Sequence, residues 1–287
     1  MTLLILNAAE GPLHFLLARF SPPEILCSQR WRPLAQGVEI LAPALDRAFL
    51  SLGVSPASLS HIACVRGPGS FTGLRLALVT ASGLARCSSA LLAGLDYLPL
   101  LAAQAMAFRA AEREGLADRD RVWALTRARR NMVYIQGFAA GGEEGGREGN
   151  GPAPLPRTDI MALSLEDAAR AVALGHSGQE GRAVLLGSGL TENRPAWEDL
   201  RRVLPAGSVF LPPLLDAPQD ELLLRAAARV AYARGDIAPL YVRPSEAEDN
   251  LERTCPSLGL DPAAARRRLE ELTGKASSDS NFRLKML

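Results

Sequence analysis

The chain carries almost no net charge, +1 over 287 residues, with 32 basic and 31 acidic side chains. That removes any global electrostatic pull on a polyanion, so contact with RNA has to come from a local patch or through a partner. Cysteine is sparse: Cys27, Cys64, Cys87 and Cys255 are scattered, with no Cys-x-x-Cys pair. Such spacing argues against a structural zinc and a disulfide framework, and reads as small buried apolar residues in a reducing cytoplasm. The three histidines, His14, His61 and His176, lack the His-x-x-x-His or His-Glu-x-x-His spacing that a metallohydrolase needs. Neither phosphate-loop pattern, Gly-x-x-x-x-Gly-Lys-Ser/Thr nor Gly-x-Gly-x-x-Gly, occurs. A membrane-spanning run is missing too. Residues 1–9 are apolar but short and free of basic residues, which suits a first core strand, and residues 90–107 are interrupted by Asp96, Pro99 and Gln104.

What the chain does have is a 48% hydrophobic content, enough for a well-buried core in one large domain or two small ones. Its most informative stretch is Arg66-Gly67-Pro68-Gly69-Ser70-Phe71-Thr72-Gly73-Leu74-Arg75. The apolar run His61-Ile62-Ala63-Cys64-Val65 before it suits a buried strand, and Leu74, Ala77, Leu78, Ala81, Leu84 and Ala85 after it recur at helical spacing. Pro68 stiffens the turn, Gly69 can take a positive φ, and Ser70 or Thr72 can cap the helix. Three uses fit: a helix N-terminus that holds a phosphate, a smooth Gly/Ala helix face that docks on another helix, or simply a tight strand-to-helix turn in a core. A nucleophilic role for Ser70 lacks the Gly-x-Ser-x-Gly elbow and a base.

Around this turn the pattern alternates. Strands are expected at 3–8, 14–18 and 25–28, a helix over 33–52, a strand at 61–65, a helix to 88, a strand at 90–95 and a helix over 98–115. A hairpin follows at 122–125 and 133–138, then a Gly/Glu/Pro-rich insertion at 139–156 with nothing to bury. Further helices are expected at 165–174, 192–203 and 219–234, with strands at 183–186 and 209–211. Three adjacent strands, a helix, then strand-helix-strand-helix is the order of a ribonuclease-H-like half. The second half reads as a reduced version of the first, without a sequence repeat to support it. Beyond residue 243 come an acidic run at Glu246, Glu248, Asp249 and Glu252, a helix over 261–274 whose Arg266-Arg267-Arg268 could touch RNA phosphates but reads first as solvated charge, and a polar end at 277–281.

The run Gly67 to Arg75 resembles the signature of the bacterial TsaB (YeaZ) family, which takes part in making threonylcarbamoyladenosine on tRNA. In the same order, Leu3-Leu4-Ile5-Leu6-Asn7-Ala8-Ala9, Ala128-Arg129 with Val133-Tyr134, Gly187-Ser188-Gly189, and Pro239-Leu240-Tyr241-Val242-Arg243 resemble further family segments. The resemblance spans residues 3–243. It departs where Asn7 stands for a usual aspartate, where Arg127 stands for a usual acid, and where Ala35-Gln36-Gly37-Val38 replaces a His-Ser or His-Thr pair.

The resemblance implies an α/β, actin-like ATPase (ASKHA) fold of two ribonuclease-H-like lobes, each a mixed central sheet flanked by helices. The lobes would be residues 1–115 and 116–243, with 244–287 as an extension. It also implies a cytoplasmic, non-catalytic partner of TsaD, the metal-binding paralogue that transfers a threonylcarbamoyl group to N6 of adenosine 37 in tRNAs reading ANN codons. TsaE would bind the pair, tRNA would be met only through the complex, and no cofactor, metal or membrane is implied for this chain. Gly67, Pro68, Gly69, Ser70, Phe71, Thr72, Gly73, Arg75, Ala77 and Ala81 would form the partner face. Two alternatives stand beside this one: a nucleotide-binding kinase or ATPase of the same fold, which the missing acids at Asn7 and Arg127 disfavour, and a homodimer through the same helix.

Overall fold

The computed structural model describes residues 1–32, 37–111, 116–117, 119–139, 154–176, 181–242, 254–256 and 259–273. The expected insertion lies outside these residues apart from its two ends, as do Ala35, Gln36, residues 112–115, the acidic run and the polar end. Residues Met1–Val242 form one compact unit and Arg243–Leu287 a second.

The first sheet is built from β1 (Thr2–Asn7), β2 (Leu13–Arg19), β3 (Glu24–Trp31), β4 (Leu59–Gly67) and β5 (Leu91–Asp96), in the order β3-β2-β1-β4-β5. β1 is antiparallel to β2 and parallel to β4, and β4 is parallel to β5. The unbroken Leu3-Leu4-Ile5-Leu6 run follows from burial on both faces. Leu3 and Ile5 point into one cluster, with α3 (Tyr97–Ala111) and α7 (Asp220–Arg229), and Leu4 and Leu6 into another, with α1 (Gly37–Leu52) and α2 (Phe71–Ser88).

The second sheet contains β6 (Arg121–Arg129), β7 (Met132–Ala139), β8 (Leu155–Pro156), β9 (Met161–Ser164), β10 (Ala183–Leu186) and β11 (Val209–Phe210), ordered β11-β10-β6-β7-β8 with β9 also on β7. β6 is antiparallel to β7 and parallel to β10, which is parallel to β11. Order and directions therefore repeat those of the first sheet, with β6 in the place of β1 and β10 in the place of β4. One face packs on α4 (Leu165–Leu174), α5 (Ser188–Thr191) and α6 (Arg194–Asp199) through Trp123, Leu125, Leu185 and Trp197. The other face places Val122, Ala124, Val184 and Leu186 in the same cluster as Leu101, Ala105 and Leu223. Helices α3 and α7 are thus the middle of five layers, shared by both sheets.

Two expected helices differ. The stretch 192–203 holds α6 from Arg194, then a tighter turn over Leu200–Val203, with Glu192 and Asn193 separating it from α5; Pro195 cannot donate a helical hydrogen bond, so it suits the start of α6. The helix expected over 219–234 ends at Arg229, because Ala233 turns back to exchange two 2.9 Å backbone hydrogen bonds with Leu92 on β5. In the second unit α8 (Pro262–Thr273) begins where expected, with the Asp261 carboxylate accepting the Ala263 and Ala264 N–H groups at 3.1 and 3.2 Å.

Candidate docking helix and interlobe junction

Ser70 caps α2, its hydroxyl accepting the Gly73 N–H at 3.3 Å, and its own N–H donates to the Ala9 carbonyl at 2.6 Å. The glycines before it are places of close backbone approach. A Cβ on Gly69 would lie 2.0 Å from the Ala9 carbonyl oxygen, and one on Gly67, whose φ is +125°, would lie 2.7 Å from the Leu240 carbonyl oxygen. Leu240 N–H donates to the Arg66 carbonyl at 2.8 Å. The turn thus wedges between the β1–β2 turn and the segment around Leu240, joining three stretches that the sequence singled out separately. The second sheet repeats the device: Gly187, after β10, has φ +109°, and a Cβ there would lie 2.0 Å from the Leu125 carbonyl oxygen on β6.

Along α2 the small residues face inward. Gly73, Leu74, Ala77, Leu78 and Ala81 are buried, and Ala77 and Ala81 pack beside Leu4, Leu6 and Ile62 of the chain's own sheet. Of the residues expected on a partner face, Gly67, Gly73, Ala77 and Ala81 are therefore buried, and Pro68 is buried with them. Small side chains at helical spacing serve to seat α2 close to the sheet. The outward face offers different side chains: Val79 is 71% exposed, Phe71 41%, and Thr72 and Arg75 are exposed. Arg75 lies with its guanidinium 3.8 Å over the Phe71 ring and its Nε–H donating to the Tyr241 hydroxyl at 3.2 Å. On the neighbouring helix α1, Leu50 is 73% exposed.

A polar junction lies elsewhere, between the sheets. Glu10, in the β1–β2 turn, accepts the Ser188 hydroxyl and the Arg127 N–H, the latter at 3.2 Å, and lies 3.3 Å from the Tyr97 hydroxyl at the start of α3. Burial pushes its carboxyl up to about 8, against the lowering effect of those hydrogen bonds. Asp216 nearby is also raised, chiefly by burial. Asn7 is buried, its Oδ1 accepting the Ala9 N–H at 3.1 Å, and the Arg127 guanidinium turns away to Glu192 at 3.3 Å. Both residues that replace the usual acids are thus engaged, Asn7 within the turn that follows β1 and Arg127 with Glu192 beyond α5. In the sequence Glu10 stands only in the Glu-Gly-Pro stretch between two expected strands. Its one available signal was an acid flanked by apolar strands.

The histidines are separately engaged: His14 with Ser28 and Asp220, His61 with Ser60, and His176 with the Val172 carbonyl. Among the described residues no three His, Cys, Asp or Glu side chains converge as a metal site, and no helix is long and apolar enough to cross a membrane. All four cysteines are free, but only Cys64 and Cys255 are buried; Cys87 is exposed because it falls on the outer side of the last turn of α2.

The family model for TsaD, tRNA N6-adenosine threonylcarbamoyltransferase, matches residues 35–181, just over half the chain. The chain belongs to the TsaD family. No curated protein sequence matches it significantly. Among solved structures it is similar to an uncharacterized protein with similarity to peptidase YEAZ from Pseudomonas aeruginosa, at 22% identity and TM-score 0.60, covering 84% of this chain and 99% of that one. It is similar also to YeaZ from Pseudomonas aeruginosa, at 21% identity and TM-score 0.58, with the same coverage. A weaker likeness, TM-score 0.43 at 10% identity, covering 78% of this chain and 95% of that one, is to a Bacteroides thetaiotaomicron protein with an actin-like ATPase fold. The resemblance to TsaB (YeaZ) read from the sequence agrees with the TsaD-family match and with the YeaZ fold. The doubled strand order and the shared helical layer are the actin-like ATPase architecture expected from that resemblance.

Proposed function

We propose that this member of the TsaD family is a non-catalytic, cytoplasmic partner that docks a TsaD-type threonylcarbamoyltransferase and holds it competent to modify N6 of adenosine 37 in tRNAs reading ANN codons. The observation that carries the reading is the outward face of α2. There Val79 lies 71% exposed on a helix whose small residues are already spent on the chain's own sheet. With Phe71, Thr72 and Arg75 at its N-terminal end, this face offers apolar area edged by a cation, the composition of a protein interface. The separate engagement of the three histidines supports a non-catalytic role. On this reading TsaE binds the assembled pair, tRNA is met through the complex, and a homodimer on the same face is the resting form when TsaD is lacking.

The test is co-purification with the same organism's TsaD, comparing wild type with Val79→Asp, followed by threonylcarbamoyl transfer to tRNA in the presence of TsaE and of TsaC, the enzyme that makes the threonylcarbamoyl-adenylate donor. A 1:1 complex that the substitution abolishes, with an unchanged melting temperature for the chain alone and loss of modification, is the expected result. A complex that forms equally well with Val79→Asp, or full modification without this chain, overturns the reading.

A further inference from the structure

Glu10 lies in the turn between β1 and β2 of the first sheet, yet every group it holds belongs to another element. Its Oε1 accepts the hydroxyl of Ser188, the first residue of α5, and shares with Ser188 Oγ the N–H of Arg127 near the end of β6, at 3.2 and 3.1 Å, while Oε2 lies 3.3 Å from the Tyr97 hydroxyl. Tyr97 Oη is also 3.1 Å from the Asp216 carbonyl oxygen. A phenol has one proton to give. With Glu10 ionised, Oε2 and the Asp216 carbonyl compete for it, and one of the two goes without. With a proton on Oε2, the carboxylic acid donates to Tyr97, Tyr97 donates to the Asp216 carbonyl, and Oε1 still accepts from Ser188 and Arg127. The chain of hydrogen bonds is then complete from one sheet to the other.

We infer that Glu10 is a protonated latch: as a neutral acid it ties the β1–β2 turn to the ends of β6 and β10 and to the Asp216 loop, and loss of its proton loosens that tie. The surroundings favour the neutral form. No cation pairs with Glu10 among the described residues; the Arg127 guanidinium is turned to Glu192. Of the charged groups around it, Asp216 acts on Glu10 with the same sign, and Glu192 does so on Asp216. Arg32 acts favourably on Asp216, and Arg30 on Tyr97, whose hydroxyl burial holds in its protonated form. The direction follows from linkage. The folded state holds the Glu10 proton more tightly than the unfolded chain, so the latch is fully stabilising below about pH 4.5, weakens as pH rises, and is spent above about pH 8.

The latch uses none of the α2 residues proposed for docking, and its test needs the chain alone, so the two readings stand or fall separately. We would follow hydrogen exchange at the Arg127 amide at pH 6 and pH 9, corrected for intrinsic exchange, in wild type, Glu10→Gln and Glu10→Ala. The amide of Gln can donate to Tyr97 as the acid does, and so mimics the closed form at any pH. Wild type is expected to lose protection on the order of a hundredfold between the two pH values, Glu10→Gln to keep it, and Glu10→Ala to show the weak protection of the open form at both, with Ser188 Oγ as the amide's remaining acceptor. Protection in wild type that is equal at pH 6 and pH 9, or a Glu10→Gln protein that loses it in step with wild type, overturns the inference.

Discussion

Gly69 and Gly187 are glycines because another backbone occupies the space where a side chain would start. At each, a Cβ would lie 2.0 Å from a carbonyl oxygen, of Ala9 and Leu125 respectively, so one strand end or the other has to move. Gly69→Ala and Gly187→Ala should each cost about 3 kcal/mol or more of stability, measured by denaturant unfolding. Gly11→Ala should be nearly silent, because nothing lies within 4 Å of its Cβ position. The need for glycine was legible in the run from Gly67 to Gly73, but not its cause. A glycine that makes room for a phosphate, for a partner or for the chain's own Ala9 is the same letter in the sequence. Glu10 was less legible still, since its Ser188 partner lies 178 positions away.

Helix α2 shows the same ambiguity at the scale of an element. Its end near residue 88 could be read directly and its cap narrowed to Ser70 or Thr72, because capping and periodicity are local; the structure places the cap at Ser70. Which face turns outward could not, since Gly73, Ala77 and Ala81 satisfy a close approach to a sheet as well as to a partner helix. Helix α7 illustrates a different limit: its early end at Arg229 is set by the pairing of Ala233 with Leu92, a contact between distant segments. The other end of α7 is tied to the first sheet by His14, whose Nε2 lies 3.1 Å from Asp220 and 3.3 Å from Ser28 Oγ. Burial, with Arg30 adding to it, lowers His14 to about 4, so the ring is neutral at pH 7 and its contact with Asp220 is a hydrogen bond, not an ion pair. The unfolded chain takes up this proton near pH 6.5 and the folded one only near 4, so the contribution of His14 to stability falls as pH drops through that window. The stability difference between wild type and His14→Gln should shrink by on the order of 2 kcal/mol from pH 7 to pH 4.5, as urea unfolding of the two proteins would reveal; the comparison cancels the opposite contribution of Glu10, which both share.

For the molecule as a whole, the two sheets are neither independent nor joined only at a hinge. Leu223, Leu224 and Ala227 of α7 complete a core that holds Leu3 and Ile5 from the first sheet and Val184 and Leu186 from the second. A fragment of residues 1–115, the expected first lobe, leaves that cluster open. It should aggregate or remain molten on gel filtration and near-UV circular dichroism, whereas residues 1–242 should unfold in a single cooperative transition. Most strands were legible from hydrophobic pattern; β8 and β9 were not, because two and four residues are too short to show a period, and β8 falls at the end of the expected insertion. The sharing of α3 and α7 was not, because α7 follows both sheets in the chain and returns to the first.

That shared layer has an evolutionary consequence. A substitution in α3 or α7 must satisfy two sheets at once, while one in the outer helices answers to a single sheet and leaves its far side to selection by whatever the protein meets. Drift should therefore be slowest at the centre, and new associations should be recruited on α1 and α2 or on α4 to α6. A doubled fold built this way can give up a function on one flank, or gain one on the other, without renegotiating the layer that holds its halves together.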